Sequence, residues 1–99
     1  MIMKNPIHPG IIFAEDFLKP LNISIKDTAN ILGSSRKHIS NIVNGKVGIT
    51  ADMAIRISKM TNTSAKFWLN IQNTYDLSQL DMNNYQQIKC EISLPVIAH

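Results

Sequence analysis

Ser35, Arg36, Lys37, Ser40, Asn41, Asn44 and Lys46 crowd hydroxyls, carboxamides and cations into one short stretch of a 99-residue chain. Hydroxyls and carboxamides donate and accept hydrogen bonds, guanidinium and ammonium groups only donate, and none of these groups carries a negative charge. Such a set suits base edges and phosphate oxygens of a nucleic acid duplex. Its surroundings agree, because no acidic residue occurs between Asp27 and Asp52. A merely solvated helix more often mixes both signs.

The candidates for catalysis are weaker. His8, His38 and His99 show no three- or four-residue spacing with one another or with a carboxylate-rich motif. His38 stands beside Ile39 in the polar stretch, where a DNA-proximal or partly buried side chain is expected instead of a base. Glu15 and Asp16 read as an exposed helix face, and Cys90 has no general base in its sequence neighbourhood. Four glycines form no phosphate-cradling loop. Neither enzymatic activity nor a cofactor or metal site is expected.

Composition bounds the rest. The formal net charge is +3, and all of it lies in the first half: Lys4, Lys19, Lys26, Arg36, Lys37 and Lys46 face only Glu15, Asp16 and Asp27 there. Hydrophobic residues at 44% and charged residues at 17% exclude a disordered composition. The length suits a single core. One cysteine, Cys90, excludes an intrachain disulfide and a Cys-based zinc site. The longest apolar run, Ile11 to Ala14, is far short of the roughly 20 residues a membrane span requires, and Met1 to Pro6 lack the apolar stretch of a secretory signal. A soluble cytoplasmic domain with no membrane contact is expected.

Helices must position the polar stretch. Pro9 suits a first helical turn, and Ile11, Ala14, Phe17, Leu18 and Leu21 make an apolar face that Lys19-Pro20 terminates. Ser24 caps a second helix, assisted by Asp27, with Ile25, Thr28, Ala29 and Leu32 inward and Gly33 at its left-handed end. Ser34 or Ser35 caps a third, whose inner face is Ile39, Ile42 and Val43 and whose end is Asn44-Gly45. Thr50 caps a fourth, with Ala51, Ala54, Ile55, Ile57 and Ser58 toward neighbours. Ser64 caps a fifth, bearing Phe67, Trp68, Ile71 and Tyr75, with Trp68 mainly in the core. Beyond Asp81 a short helical extension over Asn83 to Lys89 and then an extended tail are expected, although Ile88, Cys90, Ile92 and Leu94 alternate like a strand.

The fold class is therefore all-α. A small residue at Ala29, a glycine four residues on and isoleucines at 39 and 42 make the second and third helices a helix-turn-helix pair, with the recognition helix at about 35–44. Double-stranded DNA is the expected partner. Two readers on one two-fold axis would address half-sites about one DNA turn apart, which argues for a homodimer on a palindromic operator.

The runs His8-Pro9-Gly10, Glu15-Asp16-Phe17-Leu18, Ile42-Val43-Asn44-Gly45-Lys46, Gly48-Ile49-Thr50-Ala51-Asp52-Met53-Ala54 and Phe67-Trp68-Leu69-Asn70-Ile71-Gln72, then Tyr75-Asp76-Leu77, resemble HigA/VapI-type antitoxins of the Cro/repressor-like (XRE) helix-turn-helix superfamily. The likeness spans about His8 to Leu80. It implies a five-helix DNA-binding domain over 1–80; residues 81–99 match the family poorly and read, apart from the likeness, as a C-terminal extension for dimer or partner contact. It further implies a type II antitoxin: a dimeric autorepressor that neutralises a HigB-type ribonuclease toxin. The alternatives are a stand-alone transcription regulator and a protein-interaction module whose helix-turn-helix has lost its DNA role. By the same resemblance Arg36, Lys37 and Asn41 match base-edge positions, and Ser35, Asn44 and Lys46 match phosphate positions. The superfamily often begins its second helix with a glutamine that contacts phosphate; Ile25 stands there, so either Ser24 and the helix N-terminus take that contact or the protein docks differently.

Overall fold

A computed structural model describes residues 6–92. Among them lie five α-helices and no strand: α1 (Pro9–Phe13), α2 (Ile25–Leu32), α3 (Arg36–Val43), α4 (Ala51–Thr61) and α5 (Ala65–Ser78). The all-α expectation is met. Four starts are serine or threonine caps, as the residue types require. Ser24, Ser35, Thr50 and Ser64 accept from the backbone N–H three residues on, at 3.0, 3.1, 3.2 and 3.0 Å. Ser35, and not Ser34, is the cap of α3. His8 caps α1 through Nδ1, which accepts from the Gly10 N–H at 2.9 Å, with Pro9 as the first helical residue.

The core gathers Phe13, Leu18, Ala29, Leu32, Ile39, Ile42, Ile49, Met53, Ala54, Ile57 and Trp68. Trp68 is fully buried, and its indole N–H donates to Thr63 Oγ1 at 2.7 Å. The Trp68 ring meets Phe13 edge-on at 5.9 Å between centroids, so α5 closes over α1.

The first helix departs from its expected face. α1 continues as a π turn over Ala14–Leu18, with the Lys19 N–H bonded to the Ala14 carbonyl at 2.9 Å. In a regular α-helix, positions five apart diverge by about 140°. Bonding across five residues brings Phe13 and Leu18 back to one side, and both are buried. Leu21 lies beyond the turn and is 69% exposed, and Ile11 is also exposed. Nothing in the residue types of 14–18 explains the wider turn. The face of α4 also differs from expectation: Ala51 and Ile55 point outward, and Met53 takes an inner position. On α5, Phe67 is exposed while Ile71 and Tyr75 are half-buried.

After α5, only Met82–Tyr85 forms a short 3-10 turn, capped by Asp81. The helical extension is thus shorter than Asn83 to Lys89. Ile88 to Ile92 form no strand, and Leu94 lies outside the described residues.

Candidate nucleic-acid interface

The turn between α2 and α3 is built from a small residue, a glycine and an arginine. Ala29 is buried where the helices cross. Gly33 adopts φ 67°, and the Ser34 N–H returns to the Ala29 carbonyl at 2.9 Å. Only a residue at ease with positive φ closes the helix this way. Arg56 of α4 then donates through Nη1 to the Leu32 carbonyl at 2.7 Å and through Nε to Asp52 Oδ2 at 2.9 Å. It covers orphan carbonyls at the end of α2 and ties α4 to the turn.

α3 is fastened from the other side by α1. A Cβ on Gly10 would lie 1.8 Å from the Ile42 carbonyl oxygen, so the two backbones touch at that point. At its end α3 closes in a Schellman motif: the Lys46 N–H bonds the Asn41 carbonyl at 2.8 Å, and the Gly45 N–H bonds the Ile42 carbonyl at 3.0 Å. Gly45 supplies φ 71° there. The polar helix is therefore held at both ends, by the turn that Arg56 braces before it and by Gly10 and the Schellman closure at its last turn.

With Ile39 and Ile42 buried, helical spacing of about 100° per residue sends Lys37, Ser40, Asn41 and Asn44 to the opposite side. Lys37 and Asn44 are exposed, and Ser40 and Asn41 are half-buried at the foot of that face. Asn44 Nδ2 donates to the Ser40 carbonyl at 2.8 Å and to Ser40 Oγ at 3.3 Å. Arg36 is exposed on one flank and Ser35 stands at the N-terminus. Lys46 is exposed just past the far end. The seven expected residues thus share one surface, from the cap of α3 to the loop after it. His38 is exposed on the opposite flank, so partial burial does not apply to it.

The first turn of α3 holds no acidic residue, whereas α2 has Asp27 and α4 has Asp52 there. No carboxylate of its own first turn therefore offsets the positive end of the α3 dipole, as is also true of α5. Asp27 stands in the first turn of α2 and Ile25 is half-buried, so the start of α2 is the poorer anion seat.

The helix-turn-helix family profile matches residues 15–68, which span the π turn through Trp68. The chain belongs to the helix-turn-helix family. Within that family, an uncharacterised helix-turn-helix-type transcriptional regulator of Haemophilus influenzae is 42% identical over 88 residues, covering 88% of this chain and 82% of the relative. Antitoxin HigA-1 of Vibrio cholerae is 36% identical over 84 residues, covering 85% and 78% respectively. Among solved structures, the Pseudomonas aeruginosa antitoxin HigA with the higBA promoter superposes with a TM-score of 0.76 at 42% identity, covering 89% of this chain and 96% of that one. HigA antitoxins are therefore structural neighbours of this helix-turn-helix chain, as its motifs led us to expect.

Three residues that support this helix-turn-helix were given no such role from sequence. Arg56 stands four residues after Asp52, the spacing of a helical ion pair that could have marked it. Gln72 is a buried amide on an otherwise apolar face of α5, four residues after Trp68. His8 is buried too, its ring edge-on to Tyr75 at 5.0 Å. Burial holds its pKa below the ordinary imidazole value, against the opposing pull of the Val47 backbone and the Asp76 carboxylate. Among the described residues, no three His, Cys, Asp or Glu side chains converge as a metal site, and no helix is long and apolar enough to cross a membrane.

Proposed function

We propose that the protein is a sequence-reading DNA-binding repressor and the antitoxin of a toxin–antitoxin pair. The observation that carries the DNA reading is the outer side of α3, which presents hydroxyl, carboxamide and cationic groups with no carboxylate and an uncompensated N-terminal dipole. Arg36 would donate two hydrogen bonds to a guanine, and Asn41 would read an adenine edge. Ser35, Asn44 and Lys46 would grip phosphates, with Lys37 and Ser40 completing the surface. The solved HigA with its promoter supports the same use of the fold.

Two copies on one duplex fit a palindromic operator. The dimer contact is proposed at the distal end of α5 and the segment after it, where Leu77, Leu80, Met82, Tyr85 and Ile88 are exposed. Such a run of uncovered apolar side chains is typical of an interaction surface. We assign residues 1–80 to the DNA-reading domain, whose end at Leu77 and Leu80 shares this contact with the extension over 81–99. A HigB-type ribonuclease is the proposed toxin, by analogy with the antitoxin relatives.

Fluorescence anisotropy against the DNA upstream of the chain's own coding sequence, beside a scrambled duplex at two salt concentrations, tests the reading. Tight, salt-sensitive binding that prefers the upstream DNA supports it; equal weak binding to both duplexes overturns it. The second reading is a stand-alone regulator, in keeping with the Haemophilus influenzae relative, which is named a helix-turn-helix-type transcriptional regulator. Co-expression with the product of the adjacent reading frame separates the two, since only an antitoxin relieves growth arrest.

A further inference from the structure

The loop from Asn44 to Thr50 connects α3 to α4 and carries Lys46. Its start is set by the Schellman closure of α3, and its far end is held by a side chain from another helix. Gln72 of α5 accepts the Ile49 N–H through Oε1 at 2.7 Å, across 23 positions of sequence, and the bond is buried. The same amide donates through Nε2 to Asp76 Oδ1 at 2.8 Å. Asp76, as an acceptor only, settles which way the amide faces. The loop backbone lies against that amide: a Cβ on Gly48 would meet Gln72 Nε2 at 3.2 Å. Ile49 is itself in the core, so its N–H has no access to water as a substitute.

We propose that Gln72, oriented by Asp76, is a positioning residue for the DNA contact: it sets the loop so that Lys46 reaches a phosphate. The inference rests on the DNA-binding reading above. Gln72 need not touch DNA. It acts by removing the freedom of a loop whose cation would otherwise lose entropy on binding.

The two hydrogen bonds supply a test with a defined order of effects. Gln72→Glu keeps the acceptor for Ile49 but sets a carboxylate against Asp76. Asp76→Asn alone remains nearly neutral, because a carboxamide oxygen still accepts from Gln72. The double variant Gln72→Glu/Asp76→Asn restores the link, since the new amide donates to the new carboxylate. Affinity for upstream and scrambled duplex is measured across salt at a fixed pH of about 8, where imidazoles are neutral.

Gln72→Glu is expected to weaken both duplexes severalfold and to lower the log–log salt slope by about one, as for a lost phosphate contact. The double variant regains affinity and slope. In a Lys46→Ala background, Gln72→Glu costs little more, because its target is already gone. Thermal melts check that each variant is folded at the assay temperature, and Gln72→Met, which keeps the length without either bond, replaces Gln72→Glu if that variant does not fold. An unchanged slope, or an equal loss with and without Lys46, overturns the positioning role while leaving specific wild-type binding intact. A wild type with no preference between the duplexes instead overturns the DNA reading and this inference with it.

Discussion

Gly10→Ala sets two physical effects against each other. Alanine is the better helix former by at most about 1 kcal/mol, so propensity alone predicts a small gain in stability. Packing predicts the reverse. The added Cβ would stand 1.8 Å from the Ile42 carbonyl oxygen, and Cβ contacts below 3.0 Å are essentially never found. α1 and α3 must then separate by at least about 1.2 Å, and because both contact points are backbone no rotamer change relieves the clash. A radial gap of about 1 Å already forfeits up to half of a van der Waals well, and the contacts at stake include Phe13, Ile39 and Ile42, all fully buried. Overpacking of this kind costs about 3 kcal/mol. Net of the propensity gain, roughly 2–3 kcal/mol remains, or a fall in Tm of roughly 8–24 °C for a domain of this size. Thermal and urea melts followed by circular dichroism measure it directly. A Tm equal to or above the wild type would refute the argument that the close approach of α1 and α3 governs this position.

The other predictions concern DNA and pH. Arg36→Ala is expected to cost about 1–3 kcal/mol on the upstream duplex and to relax preference at one base pair; a uniform loss across duplexes would make Arg36 a phosphate contact. Lys46→Ala should weaken all sequences alike and reduce the salt slope by about one, and an unaltered slope would remove Lys46 from the interface. Because the folded pKa of His8 is lowered from 6.5, the unfolded chain takes up the proton first as pH falls. The His8 contribution to stability is therefore fully present above 6.5 and is lost as pH drops through the lowered folded value. His8→Asn, whose side chain can still accept the Gly10 N–H, should remove that component from the pH profile of Tm; parallel profiles for variant and wild type would show that His8 does not titrate differently on folding.

Most of the recognition surface was legible before folding because its causes are local. A serine three residues before a free N–H makes a cap, and the four serine or threonine caps follow from that. Gly33 and Gly45 mark helix ends because positive φ is a single-residue property, and helical spacing alone separates Ile39 and Ile42 from Lys37, Ser40, Asn41 and Asn44. The resemblance to HigA/VapI antitoxins also lay in contiguous runs of residues.

What the sequence hid depends on partners distant in the chain. The π turn over Ala14–Leu18 replaces Ile11 and Leu21 by Phe13 in the core, a choice made by how α1 meets Trp68 and α3. Met53 displaces Ala51 and Ile55 for the same reason: one helix has several plausible apolar stripes, and only its neighbours select among them. Gln72 and Arg56 act across 23 and 24 positions, on a loop and a helix end that no local window connects to them. Local chemistry thus determined which residues form the polar face. Tertiary packing decided how that face is held, because backbone groups buried between helices must find their hydrogen-bond partners wherever the fold brings them.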